Sequence, residues 1–261
     1  MGAIECRVIN LQRRSDRLGD IGTRLDAAGI AWVRHLATDA AEHDPDSLAA
    51  RIPGRSWAYP LSHVERACAA SHLAAWAAFL AGPAQVLCVL EDDVRFSSDL
   101  GTLLADEGWI GPAHGLVKLD ANSAKPRRAL VSPAQVALPL ARHDLWRLWS
   151  RRLGGGGYIA HRDVVARLAD LHARPELPID HCLFNPPYAP HFRAPGVHII
   201  EPPLVFHDHA GSDMQGARRD QTRRAGWLAH KFAREVVGIR AIPRRAWAMV
   251  TKGARFQEFA P

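Results

Sequence analysis

Short apolar runs alternate along this chain with stretches in which apolar residues recur every three or four positions. Ile4 to Leu11 is compact and apolar and reads as a strand. Ser15 or Asp16 can cap the helix that follows, with Leu18, Ile21, Leu25 and Ala28 on one face and Gly29 as its stop. Ile30 to Ala37 reads as a second strand. Residues 39–60 are polar and carry Pro45, Pro53, Gly54 and Pro60, the marks of loop or short helix. Ser62 to Leu80 is rich in alanine and leucine, ends at Gly82-Pro83, and is the clearest helix. Val86-Leu87-Cys88-Val89-Leu90 then runs without polar alternation, the pattern of a strand covered on both faces. A short helix from Ser98 to Asp106 and a strand over Gly115 to Asp120 continue the series. The alternation predicts an α/β fold with a mostly parallel sheet and helices on both faces.

After Asp120 the pattern loosens, and residues 121–136 read as loop. Gly154 to Gly157 lead into Tyr158-Ile159, which looks like a strand entering the sheet, and an amphipathic helix spans Arg162 to Ala173. Pro178 to Phe184 is short and partly helical, and Val197 to Phe206 reads as the last strand, leading to His207-Asp208-His209. The expected organisation is one domain over residues 1–216 and a basic helical tail over 217–261.

Charge sharpens that division. The 261 residues carry a net +6, yet residues 217–261 hold 11 Lys/Arg against 3 Asp/Glu, so the remainder is slightly acidic. Such a tail suits an anionic surface, a membrane leaflet among them, or a solvated helix rich in arginine. No nucleic-acid-binding motif is present, so no nucleic-acid partner is expected. Cys6, Cys68, Cys88 and Cys182 are scattered without CxxC spacing, which favours reduced thiols over a disulfide framework or a zinc site. Glu5 and Arg7 interrupt what would be the apolar part of a signal peptide, and no apolar window reaches the length of a membrane span. A cytoplasmic location is expected, with peripheral attachment at the inner membrane as the tail's use.

The apolar strand ends in Glu91-Asp92-Asp93. Adjacent carboxylates repel one another, and open α/β sheets bind ligands at this edge, so a divalent cation carrying a phosphate is the natural partner. A merely acidic strand exit is the plainer alternative. The turn after the first strand, Asn10 to Arg17, brings Arg13, Arg14 and Arg17 to a helix start, where anions are favoured, although it is no glycine-rich phosphate loop. His72 lies on a helix face with Glu65, Cys68 and Trp76, where a lone histidine is more often a hydrogen-bonded core residue than a catalyst; Ser71 reads likewise as a buried helix hydroxyl. Asp180, set between Ile179 and His181, is either a base raised by burial or a helix cap. His207 and His209 form a weak metal-ligand pair.

Taken in order, these segments resemble glycosyltransferase family 25, the lipooligosaccharide-type β-galactosyltransferases and their relatives. Val8-Ile9-Asn10-Leu11 with Arg14 and Asp16-Arg17 resembles the family's opening motif. Glu65, Cys68-Ala69 and Ser71-His72-Leu73 resemble its second block, and Val89 to Val94 its acidic motif. Gly157-Tyr158-Ile159, Pro178-Ile179-Asp180, Pro203-Leu204-Val205 and Ser212-Asp213 resemble its later segments. The resemblance implies a type A glycosyltransferase fold with a Rossmann-like sheet. It implies transfer of a sugar, galactose most commonly, from a UDP-sugar to a glycan hydroxyl with inversion, aided by Mn²⁺ or Mg²⁺. In that reading Asp93, Asp92 and His207 hold the metal. Asn10, Arg13, Arg14, Ser71, His72, Glu91 and Asp92 face the nucleotide sugar, and Asp180 is the base. A glycan acceptor such as a lipooligosaccharide is the implied partner. Two other functions use the same residues: a metal-dependent phosphoesterase or nucleotide-sugar hydrolase, and a non-catalytic binder of anionic surfaces.

Overall fold

The computed structural model describes residues 4–54, 56, 59–121, 127–134, 136–194, 196–207 and 241–259. The chain opens with β1 (Ile4–Asn10), α1 (Ser15–Ala27), β2 (Trp32–Leu36), α2 (Pro45–Arg51), α3 (His63–Leu80), β3 (Val86–Glu91), β4 (Val94–Phe96) and α4 (Asp99–Ala105). It continues through β5 (Leu116–Lys118), β6 (Asp120–Ala121), β7 (Arg127–Pro133), β8 (Asp144–Leu148), β9 (Gly157–His161), α5 (Arg162–Leu171), α6 (Ile179–Phe184), β10 (Val197–Glu201) and β11 (Val205–His207). The last described elements are α7 (Ile242–Thr251) and β12 (Arg255–Phe259).

Nine strands form one sheet in the order β12-β7-β8-β10-β5-β9-β3-β1-β2. Strands β1, β2, β3, β5, β7 and β10 point one way and β8, β9 and β12 the other, so the sheet is mostly parallel as expected. A smaller sheet, β4-β11-β6, sits where β3 ends.

The two-sided burial of β3 is what its sequence dictates. Leu87 and Val89 point into one apolar cluster with Trp76 and Phe79 of α3 and Val164, Val165 and Leu168 of α5. Val86, Cys88 and Leu90 point into another with Ile21 and Leu25 of α1 and Leu100 and Leu103 of α4. Helix α3 starts where its local chemistry requires: the Ser62 side chain accepts from Glu65 N while the Glu65 carboxylate accepts from Ser62 N. Glu65 is thus spent on the capping box.

Several expectations need correction. Helix α1 is preceded by Arg14 at its cap position with no side-chain cap bond, so neither Ser15 nor Asp16 caps it. Residues 127–133 form β7 rather than loop, and β8 joins it as an antiparallel partner. The stretch from Val197 to Phe206 breaks into β10 and β11 at Pro202-Pro203, because proline cannot donate to a ladder. Part of the expected helical tail belongs to the main sheet: β12 pairs antiparallel with β7, Phe256 opposite Leu130. Residues 208–240, which include the expected boundary at 216, His209, Ser212-Asp213 and most of the basic residues, lie outside the described residues. Among the described residues no helix is long and apolar enough to cross a membrane.

Candidate active site

Strands β1 and β3 run parallel with Ile9 opposite Glu91, so the segments leaving both emerge side by side at one sheet edge. Asp92 N donates to Ile9 O at 3.1 Å, and Glu91 N donates to Gly156 O at 2.9 Å from the segment entering β9. These backbone ties fix the turn, and the turn sends the three carboxylates in different directions. Asp92 points back into the protein, accepting from Asn10 Nδ2 at 2.7 Å and from Arg17 Nη1 at 3.2 Å. Asn10 is held in turn by donating to Arg14 O at 2.9 Å.

Glu91 and Asp93 instead converge with His207, one ligand atom from each lying within 4.8 Å of the others. Asp93 Oδ1 is buried and has no hydrogen-bond partner among the described residues. Its carboxyl is raised to about 6, first by burial and then by Glu91 and Asp92, against the opposing pull of His207 and Arg17. Glu91 is lowered: burial would raise it, but the His72 hydrogen bond and the charges of His72 and His207 outweigh that. Two crowded carboxylates, one of them with a buried oxygen that lacks a donor, and an imidazole form a donor set that fits Mn²⁺ or Mg²⁺.

The surroundings hold this trio in place. His207 Nε2 meets Asp120 Oδ2 at 2.9 Å, and Asp120 Oδ1 accepts from Lys118 Nζ at 2.5 Å. Lys118 also donates to Gly154 O at 2.6 Å. Asp120 is fully buried yet held down to about 2, because Lys118 and His207 together overcome its burial. His207 is raised: burial lowers it, and the Asp120 carboxylate more than reverses that. The ring comes so close to the chain that a Cβ on Gly156 would fall 2.5 Å from its Cε1, which is why the glycine run sits here. On the other side of Glu91, His72 Nε2 lies 3.4 Å from Glu91 Oε1 and Nδ1 lies 2.9 Å from the Tyr158 hydroxyl, which also accepts from Trp76 Nε1 at 2.8 Å. The Tyr158 hydroxyl can therefore donate to Nδ1, leaving Nε2 to donate toward Glu91.

A cavity of about 410 Å³ opens beside the acidic turn. Glu91, Asp92 and Asp93 line it together with Arg13, Arg17 and His72. Its lining is largely apolar and carries both signs of charge, a common form for a small-molecule site.

The family model described as glycosyltransferase family 25 (LPS biosynthesis protein) matches residues 3–183. The chain belongs to glycosyltransferase family 25. Its relatives include LgtB, a lacto-N-neotetraose biosynthesis glycosyltransferase of Neisseria gonorrhoeae, 30% identical over 198 residues that cover 69% of this chain and 66% of LgtB. LgtE of Neisseria meningitidis serogroup B, with the same description, is 27% identical over 169 residues, 60% of this chain and 57% of LgtE. The match to LgtE thus spans less than two thirds of that relative's length. A solved glycosyltransferase involved in glycosylation of the major capsid of PBCV-1 overlaps 84% of this chain and 98% of its own at 9% identity, with a TM-score of 0.40.

In this family 25 chain, most of the sequence-predicted residues gather at one place. Arg13, Ser71, His72, Glu91, Asp92 and Asp93 line the cavity, with Asn10 just behind Asp92. Arg13 Nε also donates to Asp39 Oδ2 at 2.6 Å, and Ser71 Oγ donates to Ala67 O at 2.8 Å while accepting from Thr38 N at 2.9 Å. Two assignments change. Asp92, expected at the metal, has both oxygens engaged by Asn10 and Arg17, and Glu91 takes its place beside Asp93 and His207. Arg14, expected at the nucleotide, reaches Asp16 at 3.0 Å and does not line the cavity; Arg17, one helical turn on, does. Asp180 also lies outside the cavity lining; its Oδ2 accepts from Gly154 N at 3.4 Å, and the Gly154 carbonyl accepts from Lys118. Lys118, Asp120 and Tyr158 were missed as site residues. A lysine two positions before an aspartate inside an apolar strand was the available signal for the first two.

Proposed function

We propose that this chain transfers a sugar from a UDP-sugar to a hydroxyl of a bacterial lipooligosaccharide-type glycan, with Mn²⁺ or Mg²⁺ and with inversion. One observation carries the reading: Glu91 and Asp93, both in the lining of a cavity, converge with His207, and a buried Asp93 oxygen has no donor among the described residues. A cation bound there supplies neutralisation of the negative charge that develops on the departing diphosphate. The chain's own groups do the remainder. Arg13 and Arg17 face the cavity as cations that suit a nucleotide's phosphates. The Asn10–Asp92–Arg17 chain holds the turn so that Asp93 keeps its aim. His72, fixed by Tyr158, orients Glu91. Asp180 is the carboxylate proposed to accept the proton of the attacking hydroxyl, since it borders the glycine segment behind His207. Galactose as the sugar and a glycan like that made by the LgtB and LgtE relatives are the substrates the family resemblance favours.

The direct test is thermal stabilisation of the full chain by a panel of UDP-hexoses with and without Mn²⁺, followed by product analysis with a sugar acceptor. Stabilisation by a UDP-hexose that requires Mn²⁺ and vanishes in Asp93→Ala is expected. Equal stabilisation of the wild type and Asp93→Ala would overturn the proposal, and release of free hexose even with acceptor present would point to hydrolysis.

A further inference from the structure

A second cavity, of about 960 Å³, opens among β7, β8 and α7. In the sheet, β10, β5 and β9 separate these strands from β3. His114 just before β5 and His198 near the start of β10 line it, and both strands run in the same direction as β3, which ends at Glu91. Its described lining includes Arg147, Arg193, Arg244 and Lys252, the indoles of Trp149 and Trp247, and no carboxylate.

Arg147 and Arg244 are partly buried and built into the fold, while Arg193 and Lys252 are exposed beside them. Arg147 crosses the backbone at Gly196, where a Cβ would fall 1.3 Å from its Nη1, and its Nη2 donates to Phe192 O at 2.7 Å. Its guanidinium lies 5.0 Å from the Trp149 ring. Arg244 lies 5.4 Å from the Phe192 ring, its Nη1 donates to Pro186 O at 3.4 Å, and its buried Nη2 has no hydrogen-bond partner among the described residues. Trp149 and Trp247 meet edge to face at 5.9 Å, Lys252 Nζ sits 5.4 Å from the Trp247 ring, and Trp247 is half-exposed. The positive charges press on one another. Arg147 is pushed down to about 10 by burial first and Arg244 second, and Arg244 is lowered by burial and then by Arg193. Like charges gathered around a cavity, with a buried N–H lacking an acceptor, call for an anion with several oxygens. Exposed indole beside them offers a flat apolar face of the kind on which a sugar ring lies. An open cleft of this size accommodates a few sugar units.

We propose that this cleft binds an acidic saccharide, its phosphate or carboxylate held by Arg147, Arg193 and Arg244 and a ring resting on Trp247. The assignment of that saccharide to the acceptor rests on the sugar-transfer reading above; binding itself does not. Separated from β3 by β10, β5 and β9, the cleft grips a part of the acceptor remote from the reacting hydroxyl.

Calorimetric titration of the full chain with trigalacturonate, glucose 1-phosphate, inorganic phosphate and neutral galactotriose tests it. Either or both acidic saccharides bind, identifying the preferred anion, while galactotriose does not. Arg244→Gln weakens binding about tenfold or more, and Trp247→Ala weakens the saccharides but not inorganic phosphate. Asp93→Ala binds the acidic saccharides like wild type, which separates this cleft from the donor site. Undiminished affinity in Arg244→Gln, absence of binding by both acidic saccharides, or inorganic phosphate binding as tightly as either with Trp247→Ala unchanged would each overturn the proposal.

Discussion

Lys118 and Asp120 are both almost fully buried, and each is the other's main compensation. The ammonium is pushed down by burial and pulled back up by the carboxylate, so removing either charge strands the other in a poor solvent. Asp120→Asn keeps the shape and removes the charge. Loss of about 3–5 kcal/mol of stability is expected, measured by urea unfolding. His207 would also lose its anchor, so Mn²⁺-dependent stabilisation should fall in the same variant. Asp180 makes a different kind of claim. Asp180→Asn retains an oxygen for Gly154 N, so fold and donor binding should persist while the transfer rate drops about 10²–10⁴-fold. A rate within a few-fold of wild type would remove Asp180 from the chemistry. At this scale the sequence shows which residue types gather but not where each points. Glu91-Asp92-Asp93 stands out in any reading, yet which two converge with His207 is decided by Asn10 and Arg17, held on a different strand and helix.

The elements differ in how plainly they are written. Helix α3 is legible because Ser62 and Glu65 mark its start locally and its alanines favour the helix throughout. Strand β3 is legible because an unbroken apolar run admits only cover on both faces. Strands β7 and β8 are not: Arg127–Pro133 carries charge and proline, and it becomes a strand only through partners at 144–148 and 255–259. The antiparallel insertion of β9 between β3 and β5 is likewise a property of the whole sheet. The glycine segment before β9 shows how an element shapes a site. In Gly156→Ala the new methyl meets His207 Cε1 at 2.5 Å, Nε2 at 2.7 Å and Val94 Cγ1 at 3.0 Å. The ring must move off Glu91 and Asp93. Expected are a stability loss of about 1–3 kcal/mol and disappearance of the Mn²⁺-dependent shift in melting temperature. A Mn²⁺ response equal to that of wild type would show that His207 is not a ligand.

Across the molecule, several histidines are kept uncharged by burial. His172 and His191 are pushed down to about 4, each by burial first, and His198 to about 3 by burial and then by Arg147. Their folded values lie below the unfolded value near 6.5, so the unfolded chain takes up protons first as pH falls below 6.5. Each therefore contributes stability that is complete above that pH and drains away toward pH 4. Asp93 and His207, both raised, act in the opposite sense and blunt the total. A paired comparison isolates one group: His198→Gln, which can still donate to His114 O, should lose about 1 kcal/mol less stability than wild type between pH 7 and pH 5.5. Parallel curves would show that His198 is protonated in the folded chain.

The antiparallel seat of Arg255–Phe259 on Arg127–Pro133 closes what is otherwise a naked sheet margin. A chain shortened ahead of residue 255 would present that margin, with Ala129, Leu130 and Val131 behind it, to any passing copy of itself, an invitation to stack edge to edge. Deletion is therefore the wrong instrument for asking what the basic C-terminal region does: clumping would masquerade as lost affinity. Neutralising its arginines one by one, with the closing strand left in place, keeps the two effects apart.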